Sequence, residues 1–118
     1  MLLWVVLAGG LGSGARYLLG VGVAGATFPY ATLIVNVLGS FILGVVAQLA
    51  ANGAINAEAR TVIAVGFLGG FTTYSSFNQE TLTLFASGRT SAAMANVAIT
   101  LAGCLAAGLL GMVAARAI

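Results

Sequence analysis

The sequence predicts an all-α integral membrane protein of four transmembrane helices, with the third helix broken in the middle of the membrane. Three observations carry this reading. The 118 residues are 61% hydrophobic and 5% charged, with a mean hydropathy of +1.14, whereas soluble domains are about a quarter charged. Apolar stretches long enough to cross a bilayer core of about 30 Å, which takes roughly 20 helical residues, occur four times. Finally, a Gly/Thr/Ser segment, Gly69 to Ser76, interrupts the third stretch with residues that are poor helix formers.

The first predicted helix covers residues 2–24 and contains one charge, Arg16. An Ala24-Gly25-Ala26 segment resembles a signal-peptide cleavage site, but no positive n-region precedes it and Arg16 interrupts the apolar run. The stretch is therefore read as a retained helix. The second helix, residues 31–51, is uncharged and follows a short connection holding the only proline, Pro29, which lacks a backbone donor. A polar connection with Glu58 and Arg60 leads to the third helix, residues 61–86. After a turn around Gly88 and Arg89, the uncharged fourth helix spans 92–115. The connections are too short for a soluble domain, so the whole chain, 1–118, is expected to be one membrane domain with antiparallel neighbouring helices.

The missing residue types exclude whole classes of function. The charged side chains are Arg16, Glu58, Arg60, Glu80, Arg89 and Arg116, and the chain has no Lys, Asp or His. Histidine or paired-carboxylate catalysis has no components here, and no nucleophile–base pair is present, so the chain is not expected to be an enzyme. The arginines do not cluster, so nucleic-acid binding lacks an electrostatic footprint. Cys104, the single cysteine, can form no internal disulfide and reads as a small packing residue.

Seventeen glycines suit close helix packing in lipid, where no hydrophobic drive joins helices. With four helices, Arg60 and Arg116 fall on one side of the membrane, and Arg89 and Arg16 on the other. This balance leaves the positive-inside rule almost nothing to act on. Insertion in both orientations, and pairing of two opposite copies, would turn one short chain into the inverted-repeat architecture of larger transporters.

Polar residues at membrane depth carry the functional signal, because each costs free energy unless partnered. A break at Gly69-Gly70 exposes carbonyls suited to a hard cation, and amides at the start of the next half-helix suited to an anion. Tyr74 and Phe77 lie three apart, placing their rings on one helical face. Thr73, Ser76 and Glu80 form an adjacent polar stripe. Ring edges are partly positive, so edges, hydroxyls and amides together make a line of sites for a small anion. The plainer reading is that the rings pack and the hydroxyls bond back to the helix. Asn36 is either interhelical glue or a donor at a pore mouth. Arg16 either snorkels to the interface or draws anions into a vestibule. Asn96, Thr100 and Cys104 recur every four residues on one face of helix four. Thr100 either adds a hydroxyl to the track or caps a backbone carbonyl.

Three motifs resemble the Fluc (CrcB) family of fluoride channels. They are the Gly9–Tyr17 stretch ending in Arg16-Tyr17, the Thr32–Phe41 stretch around Asn36, and Gly66–Phe77 followed by Glu80. The resemblance covers helices one to three in order and spacing, while helix four matches in length and character. It implies an antiparallel, dual-topology homodimer in the bacterial inner (plasma) membrane that passively exports fluoride and lowers fluoride toxicity. It makes Asn36 a vestibule donor, Tyr74 and Phe77 the aromatic box, Ser76 and Glu80 members of the polar track, and Arg16 the vestibule arginine. It also implies a structural Na⁺ between subunits, held by the backbone carbonyls of Gly69 and Thr72. The chain departs from the family pattern at two positions. Tyr74 stands where the family usually has Phe, and Asn96 where it has a helix-four Tyr.

The expected function is therefore a fluoride-selective channel whose partners are fluoride, a second copy of the chain and membrane lipid. The competing reading is a small multidrug-type proton-coupled transporter, also four-helical and dual-topology. Such a protein needs an acidic residue in the membrane, usually in the first helix, where this chain has only Arg16. A non-transporting assembly protein would not need the Gly69–Phe77 pattern.

Overall fold

The computed structural model describes all of residues 1–118, and it is all-helical with no strand. Helix α1 spans Leu2–Gly22 and α2 spans Tyr30–Ala51. A short α3, Ala57–Thr61, leads into π-helical Val62–Leu68 and a single turn, α4, Gly69–Phe71. After the extended residues Thr72 and Thr73 come α5, Tyr74–Ala86, and α6, Thr90–Ala115. Helices α1, α2 and α6 are long and apolar enough to cross a membrane. The segment from α3 to α5 is a bent helical stretch, called the bent span below. With a long dimension of 49 Å, the molecule exceeds the roughly 30 Å hydrocarbon core.

The chain turns back on itself at one left-handed glycine per connection. Gly25, Gly53 and Gly88 have φ of +91°, +75° and +79°, a region that L side chains rarely adopt. Two of these ends are tied by polar side chains. Asn52 Nδ2 donates to the Ala115 carbonyl at 3.1 Å, holding the α2–α3 connection to the C-terminal end of α6. Arg89 Nη1 donates to the Thr27 carbonyl at 2.8 Å, holding the α5–α6 turn to the α1–α2 connection. Arg60 and Arg116 thus share one end of the molecule, while Arg89 lies at the other.

Glycine allows two close helix contacts. A Cβ on Gly44 or Gly111 would collide with the Gly108 or Phe41 carbonyl, so α2 and α6 pack backbone to backbone. A Cβ on Gly12 or Gly70 would collide with the Phe67 or Gly9 carbonyl, which seats α1 against the first half of the bent span. Where these two pairs meet, Val35, Leu68 and Phe71 form a small core with Ala15, Leu19, Ile42, Ile63 and Phe67 packed around it. Only 18 of 118 residues are buried, so most of the apolar surface faces outward, as suits a chain whose solvent is lipid.

The third span differs from its expected form. The sequence places the break at Gly69-Gly70 and starts the helix at residue 61, but helix begins at Ala57, capped by Asn56 Oδ1, which accepts from the Ala59 N–H at 2.8 Å. Gly69 and Gly70 remain helical, and the chain becomes extended only at Thr72 (φ −89°, ψ 159°) and Thr73 (φ −154°, ψ 119°). Gly70 serves close approach to α1, and other residues make the break.

Candidate functional site

Backbone accounting explains the break. In a continuous helix the Thr73 N–H would bond to the Gly69 carbonyl four residues back. It is given instead to Asn36 Oδ1 at 2.8 Å, while Asn36 Nδ2 donates to the Thr73 carbonyl at 2.9 Å. The Asn36 side chain thus pairs with both backbone groups of Thr73 and holds that residue extended. The Ser76 N–H would likewise bond to Thr72 O, but it goes to Thr73 Oγ1 at 3.2 Å, an N-cap on α5. Thr72 Oγ1 bonds back to the Leu68 carbonyl at 2.8 Å, and Ser13 Oγ reaches the Gly70 carbonyl at 3.4 Å.

The four carbonyls from Gly69 to Thr72 therefore lose their helical donors, and of these the Gly70 oxygen is met by Ser13 Oγ. Oxygen-only donors of this kind fit a hard cation such as Na⁺. The chain offers no cluster of acidic, Cys or His residues for a metal, so backbone oxygen is the donor chemistry available.

Two concavities flank the break. The larger, about 390 Å³, is bordered by Asn36, Gly69, Thr72, Thr73, Tyr74, Phe77 and Thr100. The other, about 350 Å³, is bordered by Arg16, Thr32, Thr73, Ser76 and Glu80. Thr73 lines both. The candidate residues thus divide into two groups joined at the extended residue. Arg16 sits with Glu80 and Ser76, and is not brought to Asn36 or the rings.

The Tyr74 and Phe77 ring centroids are 5.7 Å apart, but the rings are tilted by 59° rather than stacked. Phe77 is 8% exposed and Tyr74 76%, so one ring is set in the protein and the other stands on the open face of the single chain. The Thr73 hydroxyl lies 3.2 Å from Ser76 Oγ. Thr100 is buried, and its hydroxyl points to Asn96 Oδ1 at 3.4 Å.

Glu80 Oε1 accepts from Thr32 Oγ1 at 2.8 Å, while Oε2 is buried without a hydrogen-bond partner. The sequence reading missed Thr32. Its position one helical turn before Asn36, on the same face of α2, was the available signal. Thr81 was missed as well. Its hydroxyl donates to the Phe77 carbonyl at 2.7 Å and accepts from Asn96 Nδ2 at 2.9 Å.

A family model described as "CrcB-like protein, Camphor Resistance (CrcB)" matches residues 3–112. The chain belongs to the CrcB family. Membership agrees with the resemblance read from the three sequence motifs. Among CrcB relatives, a protein of Sorangium cellulosum named "Fluoride-specific ion channel FluC" is 49% identical over 117 residues, 96% of this chain and 92% of that one. A protein of the same name from Anaeromyxobacter dehalogenans is 50% identical over 110 residues, 90% and 87% of the two chains. Another from Thermus thermophilus is 50% identical over 95 residues, 78% and 76%. The CrcB match covers all but the first residue of α1, the whole of α2 and the bent span, and most of α6.

Proposed function

We propose that this chain forms a fluoride-selective channel in a bacterial inner membrane and lets fluoride leave the cytoplasm passively. The observation that carries this reading is the ring pair with its flanking donors, set beside a helix break, in a chain 49% identical over 96% of its length to a fluoride-specific channel. Weak acid HF crosses membranes and dissociates in a less acidic cytoplasm. A passive pore drains the trapped anion and so lowers its toxicity.

The path runs along Arg16, Ser76, Thr73 and Glu80 in one concavity and Asn36, Tyr74, Phe77 and Thr100 in the other. Removing an anion from water costs several kcal/mol, of the order expected for burying any ion. A series of moderate donors replaces the hydration shell in steps and still lets the ion leave. Asn36 spends one Nδ2 hydrogen on the Thr73 carbonyl, and its second is the one available to an anion. The Phe77 and Tyr74 ring edges supply weak positive potential where hydroxyls are sparse. Fluoride is the smallest halide and the strongest acceptor, so a narrow path of this type favours it over chloride.

The working unit is an antiparallel homodimer. Tyr74 stands exposed on the single chain, and a partner covering that face would complete the concavity. The even division of arginines between the two ends supports insertion both ways. A sodium ion between the two breaks would be held by the Gly69 and Thr72 carbonyls of each copy. Its charge, when bound, offsets the like dipoles that two facing breaks bring together.

Liposomes loaded with fluoride and then with chloride test the function: purified protein should release the first and retain the second. Release of neither, or of both equally, ends the fluoride-channel reading. Cross-linking that traps only parallel dimers would remove the antiparallel assembly while leaving the channel.

A further inference from the structure

Helix α6 carries one fully buried polar side chain that the path does not use. Asn96 is 2% exposed. Its Nδ2 donates to Thr81 Oγ1 at 2.9 Å, and the Thr81 hydroxyl in turn donates to the Phe77 carbonyl at 2.7 Å. On its other side, Asn96 Oδ1 accepts from Thr100 Oγ1 at 3.4 Å. A buried amide costs free energy unless it is bonded, and here the bonds lead to two residues that border the larger concavity, Thr100 directly and Phe77 by way of Thr81.

The chain of bonds has a clear direction. A helical threonine divides between two χ1 wells, one of which bonds the hydroxyl back to the carbonyl four residues earlier. By occupying the acceptor side of the Thr81 hydroxyl, Asn96 selects the well that grips Phe77. Helix α5 starts at the break and has no continuous helix before it to set its position. Its anchor must be lateral, and α6 is suited to supply it because α6 is locked to α2 at Gly44 and Gly111. The second branch acts on Thr100. At 3.4 Å its bond to Asn96 is long, so the hydroxyl has a resting partner that it can leave for a better acceptor.

We propose that Asn96 is a positioning residue that sets the Phe77 ring and orients the Thr100 hydroxyl for the passing anion. This inference rests on the channel reading above. Asn96 acts on the path through Thr81 and Thr100 and need not touch the ion.

Two readouts test it on the full chain: fluoride efflux from liposomes, normalised to assembled protein, and the ¹⁹F signal of 4-fluorophenylalanine placed at position 77. Asn96→Leu and the nearly isosteric Thr81→Val should each slow efflux by about tenfold, a change of about 1.4 kcal/mol in barrier. Thr81→Ser, which keeps the hydroxyl, should retain the parent rate. The double variant should be no slower than the slower single one, because both changes cut the same chain of bonds. The ring signal should be one sharp line in the parent and in Thr81→Ser, and broad or split in Asn96→Leu and Thr81→Val. Parent-like efflux with an unchanged ring signal in Thr81→Val overturns the proposal, as does a double variant slowed by the product of the single effects. If the parent releases no fluoride while the ring signal responds as expected, the channel reading falls and the grip on Phe77 stands.

Discussion

Replacing Asn36 separates two roles that its position combines. In Asn36→Leu both bonds to Thr73, of 2.8 and 2.9 Å, disappear together. A stranded buried backbone group costs about 1–3 kcal/mol, so stranding both predicts a loss of about 2–4 kcal/mol after partial relaxation. The relaxation has a direction. The freed Thr73 N–H can turn to the Gly69 carbonyl and restore the helical bond, which would remove that oxygen from the proposed cation. Asn36→Asp behaves differently, because a carboxylate still accepts from the Thr73 N–H but cannot donate to the Thr73 carbonyl or to an anion. The assay is the thermal unfolding midpoint in sodium and in a bulky organic cation, alongside fluoride efflux. A ligand that binds only the folded form stabilises it by mass action, so the parent should melt higher in sodium. Asn36→Leu should lose that increment, and Asn36→Asp should keep it while losing efflux. A full sodium increment in Asn36→Leu would refute the argument that Asn36 frees the carbonyls.

Three further outcomes follow from the same geometry. Phe77→Ile removes the ring but keeps an apolar side chain of helical habit, and should slow fluoride efflux sharply while leaving the protein assembled; normal efflux removes the ring pair from the path. Thr32→Val deprives Glu80 of the bond to Oε1, adding a second unbonded oxygen to Oε2. It should lower the unfolding free energy by about 1–3 kcal/mol, with Thr32→Ser near the parent. Gly12→Ala forces a methyl against the Phe67 carbonyl and should cost about 1–3 kcal/mol as overpacking. Gly14→Ala meets nothing within 4 Å, and should stay within about 0.5 kcal/mol of the parent.

The elements legible in the sequence were those governed by local composition. Apolar runs mark α1, α2 and α6, and the three-residue spacing brings the Tyr74 and Phe77 rings within 5.7 Å of each other. The break was legible as a region but misplaced in detail. Glycine's low helix propensity pointed to Gly69-Gly70, yet both are helical, and Gly70 is required there because α1 approaches it closely at Gly9. Chain extension at Thr73 depends on Asn36, 37 residues away, and no local pattern encodes that pairing. The π-helical turn at Val62–Leu68 left no readable signal either. Helix four shows the same division: Asn96, Thr100 and Cys104 were seen to share a face, but the bond from Asn96 to Thr81 depends on how α5 and α6 are placed.

The proposed cation and anion sites share one cause, the break. Interrupting a helix strands carbonyls at the end of the first half and amides at the start of the second. Those ends carry partial negative and partial positive charge respectively. In this chain Thr73 divides them. Its backbone is held by Asn36, and its hydroxyl caps the Ser76 N–H. Behind it lie the Gly69 and Thr72 carbonyls, the proposed oxygen donors for a cation. Ahead of it lie the first turn of α5 and the Tyr74 and Phe77 rings, the proposed setting for an anion. Thr73 itself lines both concavities. A cation at the carbonyls would add positive potential to the amide side, so binding at one part of the break favours an anion at the other. The two sites are therefore expected to be coupled through the few ångströms of backbone that Asn36 holds extended.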